Sequence, residues 1–199
     1  MEIDEHLIEL IAHHEKICPH LHVPLQSGDT EVLSKMRRNY NAKQYEHIVR
    51  RAADKISPLG LGADIIVGFP GESEESFERT RRLIEELPFS YLHVFSYSPR
   101  SGTEAHNFRN NIKNITKKER NLTLSNLVKE KAYLFHKSFI GKKVTVLVEE
   151  RKQANGVLRG HSEHYIPVRI DAEDSLQNHL LPVVIKEVQK NELVGHLEQ

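Results

Sequence analysis

The chain has 199 residues, enough for one ordinary domain or two small ones, and it balances 28 Lys+Arg against 28 Asp+Glu. A formal net charge of zero means that no global field marks it for a nucleic acid. No apolar run approaches the roughly 20 residues of a membrane span, no signal peptide opens the sequence, and the single cysteine, Cys18, excludes an intrachain disulfide. The expected location is therefore a reducing cytoplasm. Charge is nevertheless uneven: residues 99–143 carry eight Lys and three Arg against three Glu, so an anionic partner is sought there first.

In chain order, Asp4 is placed to cap a first helix with Leu7, Ile8 and Ile11 on one face. A strand and its exit loop follow in His20-Leu21-His22-Val23-Pro24-Leu25-Gln26-Ser27-Gly28. His20 and His22 share a parity that would suit metal ligands, but nothing nearby completes such a site, and two polar residues lining a barrel are the favoured reading. Gln26 and Ser27 are short polar side chains at a strand's carboxyl end ahead of a glycine. That suits hydrogen bonding to a ribose or an amino-acid head group. Asp29 and Asn41 are expected to cap two further helices, the second with Tyr45, Ile48, Val49, Ala52 and Ile56 at helical spacing.

Asp64-Ile65-Ile66-Val67 reads as a buried parallel strand, preceded by punctuation at Pro58, Gly60 and Gly62. Gly68-Phe69-Pro70-Gly71 ends it, and Ser73 is the expected cap of the next helix, which Pro88 stops. Strand, glycine turn and capped helix place this turn where α/β folds put their ligands. Glu72 could serve a ligand or the helix end equally well. A third strand over residues 91–97 leads into Ser98-Pro99-Arg100-Ser101-Gly102-Thr103. Repeated βα units of this kind make an open arc with an unpaired edge, because three cannot close a barrel.

Asn110 to Asn114 reads as a polar linker, and Thr116-Lys117-Lys118-Glu119 as a capping box opening a long helix. After Gly141 the period shortens. Strands are expected over residues 144–149, 156–160, 166–170, 182–188 and 192–197, with Asn155-Gly156 as a hairpin turn. Five short strands in so few residues suggest a small all-β barrel of the oligonucleotide-binding kind. The fold class is thus an α/β partial, open barrel of βα units followed by a small OB-like barrel. The boundaries are residues 1–112 for the half-barrel, 113–140 for the linking helix and 141–199 for the β-barrel.

Taken together and in this order, HLHVPLQSG, MRRNY, DIIVGFPGE and LHVFSYSPRSGTEA resemble the radical S-adenosylmethionine methylthiotransferases that modify tRNA. The terminal β module resembles their TRAM domain, an RNA-binding barrel. LHVF before SYSPR is most similar to the branch acting on N6-threonylcarbamoyladenosine next to the anticodon. The isopentenyladenosine and ribosomal-protein branches remain alternatives, although Arg100 favours RNA over the ribosomal protein.

The resemblance implies S-adenosylmethionine and 4Fe-4S clusters as cofactors of the full-length enzyme, and tRNA as its partner. A four-iron cluster needs thiolates, and Cys18 alone cannot supply the family's closely spaced cysteine triad. The expectation is therefore a C-terminal part that lacks the cluster-binding N-terminal half and is inactive alone. The alternative from another class is a stand-alone RNA- or protein-binding module with a vestigial half-barrel.

Carried over onto this sequence, the resemblance implies that Gln26 and Ser27 contact the ribose and amino acid. Ile66 and Gly68 would line the adenine, with Asp64 where many radical enzymes have glycine, and the Ser96 and Tyr97 backbone would lie at the adenine edge. Arg38 would pair with the methionyl carboxylate, against the preferred reading of a surface charge at a helix end. For RNA, the expected contacts are Lys142, Lys143, Arg159, His161, Tyr165 and Arg169, with Tyr165 stacking on an unpaired base. Residues 144–199 carry six Lys+Arg against nine Asp+Glu, so binding is expected to be weak and salt-dependent.

Overall fold

The computed structural model describes residues 3–109, 112–150, 157–172 and 174–198. The Asn155-Gly156 turn and Asn110 and Asn111 of the expected linker lie outside them.

Helix α1 (Glu5–His13) is capped by Asp4, whose side chain accepts from the Leu7 N–H, and it buries Ile8 and Ile11. The three parallel strands β1 (His20–His22), β2 (Gly60–Val67) and β3 (Tyr91–Ser96) follow each other across one sheet. Between β1 and β2 run α2 (Thr30–Lys35), capped by Asp29, and α3 (Ala42–Lys55). Asn41 and Gln44 form a reciprocal capping box at α3. Helix α4 (Glu74–Glu86) joins β2 to β3 and starts on the Ser73 hydroxyl. Tyr45 and Val49 of α3, Phe77 and Ile84 of α4, and Leu61, Ala63, Ile65 and Val67 of β2 share one core.

The sequence reading needs three corrections here. Strand β2 begins at Gly60, four residues before the expected start, and runs through both glycines. Both pair as strand residues, and both need glycine because neighbours approach too closely for a side chain. A Cβ at Gly60 would stand 2.2 Å from the His164 carbonyl oxygen, and one at Gly62 would stand 2.0 Å from the Tyr91 ring. Second, β2 is not buried on both faces to its end: Ile65 and Val67 are fully buried, while Asp64 and Ile66 are partly exposed on the other face.

Third, helix α5 (Asn114–Lys137) starts before Thr116, at an N-cap, Lys113, that makes no side-chain capping bond. Its first turns are held by tertiary bonds instead. Lys117 Nζ donates to the Tyr97 carbonyl (3.2 Å), and Arg120 pairs with the buried Glu72. The local capping signal is overridden by these anchors.

Beyond α5, strands β4 (Lys143–Glu150), β5 (Val157–Ser162), β6 (Pro167–Asp171), β7 (Leu180–Gln189) and β8 (Glu192–Leu197) close a barrel in the order β4-β5-β6-β8-β7. Only the β6–β8 pairing is parallel. Val146, Val148, Leu158, Val168, Ile170, Val183 and Leu193 form its core, and the buried Phe139, just before β4, packs in the same cluster. The alternation of β-branched and aliphatic residues with polar ones is what made all five strands readable.

The barrel touches the sheet through the turn between β5 and β6. Tyr165 stacks on His20 of β1 (4.8 Å between centroids) and on His161 (4.9 Å), with Tyr91 of β3 at 5.7 Å. These contacts sit at the amino ends of β1–β3, away from the end where ligands are expected.

Candidate functional site

At the carboxyl ends of the three parallel strands lies an open cavity of about 510 Å³, lined by Gln26, Asp64, Ile66, Phe95, Ser96, Tyr97 and the following loop through Arg100, Thr103 and Ala105. The chain builds it from the backbone upward. Leu25 is buried beneath it, and the next residue, Gln26, takes a left-handed conformation (φ 67°) that only a firmly held loop imposes on a non-glycine residue. Its N–H donates to the Asp64 carbonyl (2.8 Å), and its own carbonyl accepts from the Ile66 N–H (2.9 Å), so β2 holds it on both sides. Gln26 as a whole residue is 7% exposed, and its side-chain amide makes no hydrogen bond among the described residues. The amide is open to the cavity, where a ligand could take its hydrogen bonds.

Of the expected adenosylmethionine residues, Gln26, Ile66, Ser96 and Tyr97 are therefore brought together. Tyr97 is fixed by three bonds: its N–H donates to the Val67 carbonyl, its carbonyl accepts from Lys117, and its hydroxyl donates to the Ala105 carbonyl (3.1 Å). Arg38 is exposed and lines an adjoining cavity of about 260 Å³ that shares Gln26, Ile66, Thr103 and Ala105 with the first. It makes no ion pair among the described residues, whereas its neighbour Arg37 reaches Glu104 at 2.5 Å.

Ser27 and Gly68 do not line either cavity. Ser27 is fully buried; its hydroxyl lies 3.3 Å from that of Thr80 and accepts from the Asp29 N–H, which closes the α2 end of the loop. Gly68 (φ 75°) donates its N–H to Glu72 Oε2 (2.7 Å) and faces the Lys117 side chain, where a Cβ would stand 2.4 Å from Cγ. Glu72 is 3% exposed and paired with Arg120 Nη1 at 2.6 Å, so it fastens the turn to α5 and does not face the cavity. Burial pushes its carboxyl above the usual range, against the Gly68 N–H and the Arg120 guanidinium, which pull it down.

Sequence reasoning did not place Phe95 in this site. Its one signal was parity, because Tyr91, His93 and Phe95 alternate onto one face of β3. His20 and His22 face the same side of the sheet. Tyr91's hydroxyl lies 2.9 Å from His20 Nε2 and 3.2 Å from His22 Nδ1, and His22 Nε2 lies 3.3 Å from Asp64. They line the arc as polar partners.

The expected RNA residues are mostly answered by carboxylates. Arg159 and Arg169 stand opposite each other across β5 and β6 and both reach Glu192. His161 lies 2.7 Å from Glu149, and Lys143 pairs with Glu198 at 3.2 Å. Lys142 lies over the Phe139 ring at 5.7 Å. Tyr165 is 52% exposed, but its ring already stacks on two histidines. Of the basic middle, Lys117 and Arg120 are buried, and Lys131 donates to the Glu85 carbonyl. The cationic surface is smaller than its composition implies.

The fold is thus an arc of parallel βα units with a cavity at the strands' carboxyl ends, where α/β folds place ligands, followed by an appended five-stranded β module. Residues 1–84 match the Radical SAM superfamily. Over 197 residues the chain is 39% identical to the tRNA-2-methylthio-N(6)-dimethylallyladenosine synthase of Geobacillus kaustophilus (strain HTA426), covering 98% of this chain and 37% of that protein. The enzyme of the same name from Dictyoglomus thermophilum is 38% identical over 197 residues, covering 98% and 45%. The threonylcarbamoyladenosine tRNA methylthiotransferase of Rickettsia prowazekii is 39% identical over 194 residues, covering 98% and 42%. The chain spans less than half the length of these curated relatives.

Adenosylmethionine fits the residues present: an unpartnered amide at Gln26, an apolar wall at Ile66 and Phe95, and polar backbone at Ser96 suit a nucleoside with an amino-acid tail. An iron–sulfur cluster does not fit. Among the described residues no three His, Cys, Asp or Glu side chains are grouped to hold a metal, and Cys18 is exposed. No described helix is long and apolar enough to cross a membrane.

Proposed function

We propose that this chain is the carboxyl-terminal part of a radical adenosylmethionine tRNA methylthiotransferase, working in the cytoplasm and inactive without the cluster-binding half. The observation that carries the reading is the Gln26 amide, free of side-chain bonds among the described residues and open to a cavity at the carboxyl ends of β1–β3, in a stretch similar to such enzymes. With a cluster held by residues outside this chain, bound adenosylmethionine would supply the radical chemistry. This chain's own residues bind and orient.

Gln26 would hold the ribose or amino-acid end, and Ile66 would pack on the adenine. The strand end at Ser96 and Tyr97 would form the edge, and Arg38 would meet the carboxylate from the adjoining cavity. The β-barrel, read as an OB-like TRAM module, and the segment joining it to α5 would hold the tRNA by its phosphates, first through Lys142. Lys143, Arg159, His161 and Arg169 would join by exchanging their carboxylate partners for phosphate, with Tyr165 stacking on a base.

The finer substrate reading is N6-threonylcarbamoyladenosine, supported by LHVF before SYSPR and by the R. prowazekii relative. The dimethylallyladenosine reading is supported by the names of the G. kaustophilus and D. thermophilum relatives. Deleting the coding region of this chain and analysing tRNA nucleosides by mass spectrometry separates them. Loss of the methylthio group from one modified adenosine names the substrate. Unchanged methylthiolation of both would overturn the proposal.

A further inference from the structure

A second cavity, of about 440 Å³, lies at the opposite end of the sheet, between the start of β3, the second half of α5 and the β5–β6 turn of the barrel. Rings of Tyr91, His93, His161 and Tyr165 line it, no Asp or Glu does, and Lys129 of α5 stands at it without an ion pair among the described residues. On its wall His136 is 6% exposed, and its Nδ1 is buried with no hydrogen-bond partner. Aromatic faces, an unpaired ammonium and an unanswered ring nitrogen select a planar ligand that carries negative charge, and the nearby carboxylate of Glu149 lies behind His161 and does not line this cavity. A neighbouring cavity of about 190 Å³ shares His161 and Pro167 with this one, but there Arg159 is paired with Glu192 and Glu149 also lines the wall, so the anion site is confined to the larger cavity.

From the proposed reading of an RNA partner, we infer that this interdomain groove binds one unpaired nucleotide of single-stranded RNA, its base against His93 and Tyr91 and its phosphate on Lys129. His136 offers its ring to the base edge. The ring stripe Tyr91, His93 and Phe95 then leads along about 13 Å of β3 to the first cavity, so the groove and that cavity would lie on one strand's path. The two bodies make the site jointly: neither the sheet nor the barrel has all the groups.

The test uses the full chain and a fluorescein-labelled RNA of about five unpaired nucleotides, followed by anisotropy across salt. Lys129→Ala should weaken binding by about threefold to tenfold at low salt and reduce the salt slope by about one. His93 is exposed, so His93→Ala should keep the fold and weaken binding about fivefold with the slope unchanged. Lys43→Ala, on the exposed face of α3, should change neither. The His136 ring resonances should shift on RNA addition. Absence of RNA binding, equal losses at Lys43 and Lys129, or unmoved His136 resonances would each overturn the inference. The tRNA nucleoside analysis reads the reaction and not this groove, so that reading stands or falls separately.

Discussion

Arg120 of α5 reaches across 48 residues of sequence to close on Glu72, with Nη1 2.6 Å from Oε2 and 3.2 Å from the Glu72 carbonyl. Both side chains are buried, at 7% and 1% exposure, and the same carboxylate accepts the Gly68 N–H. The turn beneath the first cavity is thus locked to the helix that leads to the barrel.

Breaking that pair from one side strands a charge. Arg120→Met should cost about 3–5 kcal/mol in urea unfolding at neutral pH, because Glu72 keeps only the Gly68 N–H. Glu72→Gln combined with Arg120→Met should recover much of the loss, since no ionised group then remains buried. The single variant's deficit should also depend on pH. Burial already raises the Glu72 carboxyl, and without Arg120 it rises further. A group raised on folding takes up a proton as the chain folds, so stability is retained below its unfolded value and lost as pH climbs through the folded one. The deficit should therefore be smaller at acidic pH than at neutral pH, and an equal deficit at both would contradict the mechanism.

His136 gives the opposite slope. Burial pushes its imidazole down from 6.5 to about 4, and no charged group contributes. A lowered histidine leaves the unfolded chain holding more protons, so stability is full above the unfolded value and falls as pH drops from 6.5 towards 4. His20 and His164 are lowered by burial as well and add to the same slope. His136→Phe should flatten the profile across that window without abolishing it. Chemical denaturation at a series of pH values measures it, and an unchanged slope would mean that another group titrates.

Gly60 sets how closely the barrel docks. A methyl group there would stand 2.2 Å from the His164 carbonyl oxygen, a backbone atom that cannot swing aside. Gly60→Ala should cost about 1–3 kcal/mol, by the usual penalty for overpacking, and should loosen Tyr165 from His20. Thermal unfolding followed by calorimetry and by tyrosine fluorescence should show the barrel contact failing first. A single unshifted transition would mean that the interface tolerates the displacement.

What was legible in the sequence was what repeats locally. Period-two alternation exposed the barrel strands, and Asp4, Asp29, Asn41 and Ser73 declared four helix starts by side chains that do bond their own first turns. Gln26 followed from its place at a strand end, and Ile66 from the resemblance to a known family. What was hidden depends on contacts between distant segments. Nothing near Gly60 in sequence announces His164, and nothing near Lys117 announces Tyr97. The same blindness made the basic middle look like surface, when Lys117 and Arg120 are turned inward to carbonyl and carboxylate partners. Ser27 looked like a ligand contact for the same reason: Thr80, 53 positions on, takes its hydroxyl.

Gln26 separates binding from folding. Its left-handed φ of 67° is strained for a side chain, while its amide has no internal partner. Gln26→Gly removes the strain but loosens the unfolded chain, two effects of about 1 kcal/mol each that oppose one another, so stability should stay nearly level. Ligand binding should not. If, as proposed, the wild-type chain offers only part of a pocket, it should bind S-adenosylmethionine more weakly than about 10 μM in calorimetry, within the loose end of the affinity scale. Any residual binding seen as NMR shifts at Ile66 and Ser96 should vanish in Gln26→Gly and in Gln26→Ala. Gln26→Glu should retain a hydrogen-bonding oxygen and part of the signal. Micromolar affinity in the wild type would mean that the arc is a complete site and that no further segment is needed to hold the ligand. Binding that survives Gln26→Gly would move the contact to another residue of the cavity.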